Sequence, residues 1–460
     1  QYEQNGKSYE AIGHDYDVAA YYFLNWDLGP GTRLQSKPSR EGVSTVSTVS
    51  TYDHLIYHEE NAENHIKSGR RWWGDKMQIS TGKTFEYTVS GTAIGSQIKL
   101  NTVTTARSLK GFPSNMRISM NDSNSAFVTY TTVTGSYDDP FSSGPTKTVR
   151  SRIASSNNIK LSYTYNKSLN EAAAWIDYFV LSVPRLLGTY EAQQIIRTNS
   201  HGVAGNLKYL FGRFDAGFEI WDISTPNTPS VQSTFANGTG VGFVYENVQS
   251  EAPPVFISFS ANECPNPEYV EKVANQNLHA DKDIDYLIVT REDLVSEANR
   301  LADFHRENGL NVMVHTTKQI YNEFSSGSQD VTGIRDFAKL LHDRGQLPSA
   351  TRTFKYILLF GDASYDFKDI EANNTNVVPI YQSFESNDPP YSYCSDDYYA
   401  ILDDNDGEWG TRSEDEDLDV GVGRLPTSNE REAKILVDKI IHYHSAASRG
   451  DWMQTVTFLA

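Results

Sequence analysis

The stretch FKYILLFGDASYD, residues 354–366, decides the fold because an apolar run leads directly into a glycine and several polar residues. Continuous apolar runs of this length are typical of strands buried on both faces of a parallel sheet. Gly361 permits a sharp exit from the strand, and Asp362, Ser364 and Asp366 follow it. Ligand sites of open α/β sheets form beyond the carboxyl ends of the strands. These three residues are therefore candidates for the rim of a site, and turn formation is the alternative use of the same residue types.

The sequence on both sides of this stretch alternates between strand and helix patterns. Helical stripes are predicted in REDLVSEANRLADFHRENG (291–309), DVTGIRDFAKLLHDRG (330–345) and TSNEREAKILVDKIIHYHSA (427–446). Further strands are predicted in IDYLIVT (284–290), LNVMVHTT (310–317), DLDVGVGRLP (417–426) and TVTFLA (455–460). This alternation predicts a mostly parallel sheet with helices on both faces.

Two of these helices have start signals. Asp330 is the predicted N-cap of the second helix. Thr427 is the predicted N-cap of the third, with Glu430 reaching back to form a capping box.

Residues 1 to about 275 have a different pattern, with short alternating segments rich in β-branched and aromatic residues. Examples are TFEYTVSG (84–91), SQIKLNTVTT (96–105) and SAFVTYTTV (125–133). Such segments, separated by Gly, Ser, Asn and Asp, predict antiparallel sandwiches or a barrel. We therefore predict a β-rich domain over 1–200, a second β-rich segment with a linker over 201–275, and an α/β domain over 276–460.

The composition excludes several functional classes. The 460 residues have a formal net charge of −19, which argues against binding to the negatively charged phosphates of nucleic acid. No apolar stretch of 18 residues is present to predict a membrane-spanning helix. The chain begins at Gln1 without a signal sequence, which we interpret as an exported protein whose signal peptide has been removed. Because the sequence ends in an apolar strand pattern, we expect the native polypeptide to continue.

Familiar motifs are also missing. No Walker A sequence is present, and HEENAENH (58–65) lacks the spacing of a zinc-binding H-E-x-x-H motif. Cys264 and Cys394 lie 130 positions apart and define neither a disulfide framework nor a zinc site, and the sequence leaves open whether they pair.

The stretch YSYCSDDYYAILDDNDGEWG, residues 391–410, offers two chemical readings. A cysteine nucleophile needs a nearby cation, imidazole or helix N-terminus to stabilise its thiolate, and Cys394 is instead followed by two aspartates. An EF-hand loop fails at its first and last ligand positions. A looser calcium site remains, built from Asp403, Asp404 and Asp406, and a solvated acidic loop is the alternative.

A resemblance to a known family rests on motifs that occur in a fixed order. They are NQNLHA (275–280), IYNEFSSGSQDVTGIRDF (320–337), KYILLFGDASYD (355–366), SDDYYAILDD (395–404), DVGVGRLPTSNEREAKILVDKIIHY (419–443) and DWMQTVTFLA (451–460). The C-terminal part of the chain resembles the gingipain-like cysteine peptidases of the type IX secretion system. The upstream segments AWIDYFVLSVPRLL (174–187) and GFEIWDISTPNTP (217–229) look like the β-rich region that precedes the catalytic domain in that family.

The resemblance implies a caspase-like α/β domain with a Cys–His dyad and no required cofactor. It implies a sortase-like activity at the cell surface, associated with the outer membrane. There the enzyme would remove C-terminal sorting domains from exported cargo and attach the cargo to anionic lipopolysaccharide. The implied membrane partner is an outer-membrane β-barrel protein of the PorV type.

The sequence departs from the family pattern because no residue matches the dyad histidine or cysteine. We expect both to lie beyond Ala460, so that this chain alone is inactive. The remaining candidates for a substrate rim are Asp396 and Asp397 in the SDDYY motif, and Glu430 and Glu432 at the start of a helix. The alternative function is a non-catalytic surface scaffold or adhesin with a degenerate caspase-like domain.

Overall fold

A computed structural model of the chain describes residues 2–5, 8–11, 13–198, 204–248, 253–404 and 417–458. The chain divides into two compact units. Unit 1 contains Gln1–Gly13, Asn25–Glu63 and Trp72–Glu271, and unit 2 contains His14–Leu24, Asn64–Arg71 and Lys272–Ala460.

Unit 1 is built from strands. In chain order they are β1 (Tyr2–Asn5), β2 (Ser8–Ala11), β3 (Gln35–Lys37), β4 (Ser47–Val49), β5 (Thr51–Glu59), β6 (Gly74–Met77), β7 (Gly82–Thr88), β8 (Gln97–Arg107), β9 (Asn115–Met120), β10 (Ser123–Thr129), β11 (Thr146–Ile153), β12 (Asn158–Asn166), β13 (Ala173–Leu186), β14 (Gln193–Ile196), β15 (Gly205–Leu210), β16 (Phe218–Asp222), β17 (Ser230–Gln232), β18 (Phe235–Asn237), β19 (Gly240–Asn247) and β20 (Phe256–Ser260).

The first part of unit 1 is a β-sandwich. One sheet has the order β10-β9-β12-β7, and the other has the order β11-β8-β13-β5 with β6 also paired to β13. Ile118 and Leu161 from the first sheet share one apolar core with Leu100 and Phe179 from the second. Strand β13 is buried along almost its whole length and therefore contributes to this core from one end to the other.

A second sandwich completes unit 1. Its sheets have the orders β14-β20-β16-β17-β3 and β18-β19-β15-β4. Ile220 and Phe256 from one sheet pack in the same core as Tyr209 and Phe243 from the other. Most pairs are antiparallel, and the short strands β3 and β4 join their sheets in parallel. The predicted β-rich sandwich region is therefore confirmed.

Unit 2 contains the remaining elements. They are β21 (Tyr286–Thr290), α1 (Val295–Glu307), β22 (Val312–Thr316), α2 (Thr317–Phe324), α3 (Val331–Gly345), β23 (Tyr356–Phe360), β24 (Tyr381–Gln382), β25 (Cys394–Ser395), β26 (Gly421–Leu425) and α4 (Glu430–His444). Short 3₁₀ turns lie at Leu278–Ala280, Glu292–Leu294, Asp397–Tyr399, Ala446–Ser448 and Asp451–Gln454.

The main sheet of unit 2 has the order β22-β21-β23-β26, and all of its pairs are parallel. This confirms the predicted parallel sheet. The predicted strand over 455–460 is wrong for its described residues, because 455–458 form no strand. Helix α2 follows β22 directly and was not predicted from the pattern. None of the helices among the described residues is long and apolar enough to cross a membrane.

The two helix starts have different outcomes. Asp330 caps α3 as predicted, since its side chain accepts a hydrogen bond from the Thr332 amide. The prediction for α4 is wrong: the N-cap is Asn429, whose side chain accepts from the Glu432 amide at 3.1 Å. Thr427 lies outside the helix and donates its hydroxyl to the Asn429 carbonyl.

Two segments from early in the sequence complete unit 2. Tyr16 is buried in its core, and the Tyr16 hydroxyl accepts a hydrogen bond from the Gln382 amide at 2.9 Å. Gly69 donates its amide to the side-chain oxygen of Gln382 at 3.0 Å. Gly69 has φ +82°, and a Cβ there would overlap the Glu385 carbonyl. Only glycine therefore suits this close approach.

Candidate functional site

The carboxyl ends of β23 and β26 form the best-defined polar edge of unit 2. Gly361 is buried, and a Cβ there would overlap Val377, so the chain can turn at this point only with glycine. The Asp362 amide donates to the Thr427 carbonyl at 2.9 Å, which joins the ends of the two strands. The Asp362 carbonyl accepts from the amides of Val377 and Val378. We call this edge the rim.

Asp362 lies at the rim, and its carboxylate has one hydrogen-bond partner among the described residues. Its carboxylate is half-buried and accepts a hydrogen bond from the Ser428 hydroxyl at 3.4 Å. The Arg291 guanidinium approaches the same segment, since it donates to the Ser428 carbonyl at 3.5 Å. Arg291 is also held by a two-point contact with Asp293. The Asp362 carboxylate and the Ser428 hydroxyl therefore meet at the end of the sheet, and the Arg291 guanidinium lies beside the Ser428 backbone.

Ser364 and Asp366 are used to build the loop after β23. The Asp366 amide donates to the Ser364 hydroxyl at 3.0 Å. The buried Asp366 carboxylate accepts from the amides of Ile370 and Glu371 at 2.9 and 2.7 Å. Both residues thus have the turn-forming role that was the alternative to a role at the rim.

Asp396 is tied to an arginine that the sequence analysis did not single out. Arg424 on β26 makes a bidentate contact with the Asp396 carboxylate at 2.7 and 2.8 Å. The same guanidinium donates to the carbonyls of Gly361 and Val378. Because both charged groups are largely buried, this network is a structural clamp behind the rim. An arginine inside an otherwise apolar strand was the available signal.

The neighbours of Asp396 differ in exposure. Asp397 is exposed and starts a 3₁₀ turn, in which its amide donates to the Ser395 hydroxyl. Tyr399 is fully buried and donates to the Pro379 carbonyl at 2.6 Å. Cys394 is an exposed free thiol, as is Cys264 in unit 1. The SDDYY motif therefore mainly anchors this loop to the core.

The two candidate glutamates of α4 have exchanged roles relative to the prediction. The Glu432 carboxylate accepts from the Ser428 amide at 3.1 Å and helps to hold the start of the helix. Glu430 is exposed at the first helical position, and its side chain makes no hydrogen bond or ion pair within the described part of the chain. Glu430 is thus available to a ligand, while Glu432 is engaged.

The predicted calcium ligands are separated by their contacts. Asp404 pairs with Lys339 of α3 at 2.8 Å, and this hydrogen bond lowers the pKa of Asp404. Asp403 lies instead beside His342 and Asp419. Asp406 lies outside the described residues. The calcium site stays a prediction.

Two comparisons with known proteins found a clear similarity. Residues 279–460 match the model of peptidase family C25. A crystal structure of dimeric latent PorU from Porphyromonas gingivalis matches 92% of this chain with a TM-score of 0.78 and 25% identity. The match spans 40% of the PorU chain, so the present chain corresponds to less than half of that protein.

The next solved structure has a much lower similarity. A structure described only as a protease is 16% identical, covers 37% of this chain and 30% of its own, and has a TM-score of 0.25. No curated protein matches the chain. Residues 279–460 are thus similar to peptidase family C25, in a chain whose fold is similar to that of the corresponding part of PorU.

Proposed function

We propose that this chain is the N-terminal and early catalytic portion of a cell-surface cysteine endopeptidase with sortase-like activity. The observation that supports this proposal most directly is the similarity to PorU, which extends over 92% of the chain and through both units. A family C25 match over 279–460 supports the peptidase class independently. In the full-length protein, the enzyme would remove C-terminal sorting domains from type IX secretion cargo.

The chemistry proposed for the full-length protein is thioacyl transfer. A cysteine thiolate attacks the carbonyl at the cleavage site, and the amine of the sorting domain leaves after taking a proton from the dyad histidine. An amine of anionic lipopolysaccharide then attacks the thioester and gives up a proton to the dyad histidine, which forms a new amide and releases the thiolate. Water in place of the amine gives hydrolysis. No cofactor enters either step.

The present chain would contribute the rim and not the nucleophile. Cys394 is exposed beside Asp396 and Asp397, and no cation or imidazole contacts its sulfur within the described residues. We propose that the dyad histidine and cysteine are supplied by sequence that follows Ala460 in the full-length protein. The carboxylates of Asp362 and Glu430 are the groups best placed to meet a basic substrate side chain.

The proposed partners follow from the same assignment. An outer-membrane β-barrel protein of the PorV type would hold the enzyme at the cell surface, where exported cargo and anionic lipopolysaccharide meet it. The alternative, a non-catalytic scaffold, predicts that the full-length protein processes no cargo.

The test replaces each cysteine that follows residue 460 in the full-length protein with alanine, one at a time. One substitution is expected to leave cargo with its sorting domain attached, as seen by a larger mass on intact-protein mass spectrometry. Cys394→Ala is the matched control and is expected to process cargo normally. If cargo is processed in every one of the downstream variants, or only Cys394→Ala fails, the assignment of the nucleophile is wrong.

A further inference from the structure

We propose that His342, Asp403 and Asp419 form a binding site for a divalent transition-metal ion of the zinc type. One ligand atom from each of the three side chains lies within 4.8 Å of the others. An imidazole nitrogen with two carboxylates is a donor set that proteins use for Zn²⁺. Asp419 precedes β26, at the end of the sheet opposite to the rim. The site is therefore separate from the proposed peptidase chemistry.

Helix α3 fixes the histidine relative to the chain that carries Asp403. His342 lies three positions after Lys339, so both side chains are on the same side of the helix. Lys339 donates to the Leu402 carbonyl at 2.8 Å and pairs with Asp404 at 2.8 Å. These two contacts hold the segment 402–404 against α3 and place Asp403 within reach of the imidazole.

Asp419 is oriented by the same segment. Its amide donates to the Ala400 carbonyl at 2.9 Å, and its carboxylate accepts from the Leu402 amide at 2.7 Å. A carboxylate has about four lone-pair sites, so this bond leaves most of them for a cation. Hydrogen bonds of this kind set the direction of metal-binding carboxylates. Two carboxylates that are distant in sequence are thereby brought to one imidazole.

One ring nitrogen of His342 lacks a hydrogen-bond partner within the described residues. Nδ1 of His342 is shielded from solvent and has no hydrogen-bond partner within the described part of the chain. Leaving a buried polar atom without a partner is unfavourable. An ion bound to Nδ1 would relieve this, because it would take the lone pair of that nitrogen.

The charge of the surroundings favours a dication. The described residues 401–404 and 417–420 carry four aspartates and no basic residue. The histidine decides which dication is favoured. Calcium takes oxygen ligands, whereas imidazole suits zinc and its neighbours among the transition metals. With three protein ligands, one position of a tetrahedral ion remains for water.

The test is calorimetric titration of the chain with zinc chloride. We expect one ion to bind per chain, and we expect His342→Gln and Asp419→Asn each to weaken the affinity by about 10-fold or more. His442→Gln and Asp417→Asn are the matched controls, because they remove an exposed histidine on α4 and an exposed neighbouring carboxylate. Each control should change the affinity by less than about 3-fold, as expected for loss of a non-ligand charge.

Three outcomes would overturn the proposal. One is the absence of zinc binding at 100-fold excess over protein, on the order of what a weak site requires. Another is equal affinity in wild type and the His342 and Asp419 variants. The third is calcium binding that persists in His342→Gln, which would support the all-oxygen loop instead.

Melting temperatures in a chelator check that the variants fold. If His342→Gln does not fold, Asp403→Asn, at an exposed position, replaces it in the test.

Discussion

At the scale of single residues, the polar groups of unit 2 mostly hold loops in place. Arg424 is the clearest case, because one guanidinium satisfies a carboxylate and the backbone carbonyls of two loops. The sequence predicted Asp362 as a rim residue, since it directly follows a recognisable strand. It did not predict the Arg424–Asp396 pair, because the two residues meet only after the chain between them has folded. The arginine inside an otherwise apolar strand signals a need for a partner, but the local pattern does not identify that partner.

Glu323 gives a prediction about pH. Its carboxylate accepts from the amides of Leu278 and His279 and from the side chain of Gln276. Burial acts to raise the pKa of Glu323, but these hydrogen bonds outweigh it and lower the pKa to about 2. A depressed carboxyl pKa stabilises the fold above the unfolded-state value of about 4.5, and this stability is lost as the pH falls towards 2.

We therefore expect Glu323→Gln to lower the free energy of unfolding by about 2–3 kcal/mol at pH 7. The difference from wild type should shrink as the pH falls from about 4.5 towards about 2. Urea unfolding at a series of pH values measures it. Glu307→Gln, at an exposed glutamate, is the control and should show little difference. A difference for Glu323→Gln that is independent of pH would contradict the explanation.

At the scale of elements, the start of α4 distinguishes two overlapping cap patterns. Thr427 with Glu430 and Asn429 with Glu432 both fit a cap followed by an acidic residue three positions later. The structure selects Asn429 because the Thr427 hydroxyl is buried and already donates to a carbonyl. Spacing alone could not decide between them.

We expect Asn429→Ala to lower the free energy of unfolding by about 1 kcal/mol, since it removes the acceptor for the Glu432 amide. Glu430→Ala should cost less than about 0.5 kcal/mol, because it loses only a favourable charge near the helix N-terminus. Chemical denaturation of both variants measures the difference. A larger loss for Glu430→Ala would support the capping box that the sequence suggested.

The remaining strands and helices show how well the pattern of apolar residues predicts an element. Four of the five predicted strands are confirmed, and each of the four has a partner in the parallel sheet. TVTFLA has the same composition, yet its described residues pair with no strand, so composition gives only the capacity to form one. Helix α2 was missed because its eight residues are too few to establish a helical repeat.

At the scale of the whole molecule, the units do not follow the order of the sequence. Unit 2 includes His14–Leu24 and Asn64–Arg71, which the sequence analysis assigned to the β-rich domain with their neighbours. Their contacts with later residues, such as Tyr16 with Gln382, span hundreds of positions. No local pattern predicts a pairing over such a distance.

This arrangement predicts the result of limited proteolysis. Residues 261–277 contain no helix or strand, and Lys272 is exposed within them. We expect trypsin to cut after Lys272 and the two fragments to elute together from a sizing column under native conditions. The reason is that the N-terminal fragment retains Tyr16 and Gly69, which bind residues of the C-terminal fragment within unit 2.

The variant Tyr16→Ala, which removes a buried ring and a hydrogen-bond acceptor, should let the cut fragments separate. Tyr22→Ala, at an exposed position on the same segment, is its control. Elution of wild-type fragments as two separate species would contradict the assignment of these segments to unit 2.

The early position of Tyr16 also affects how the protein is made. Its hydrogen-bonding partner Gln382 lies 366 residues later. At roughly 5–20 residues per second, the ribosome needs on the order of 20–70 s to synthesise the intervening chain. The first sandwich can form during this interval, because its strands are complete by residue 186. Unit 2 cannot fold in this interval. Its early segment His14–Leu24 has already been synthesised, but the residues that Tyr16 packs against have not yet been translated.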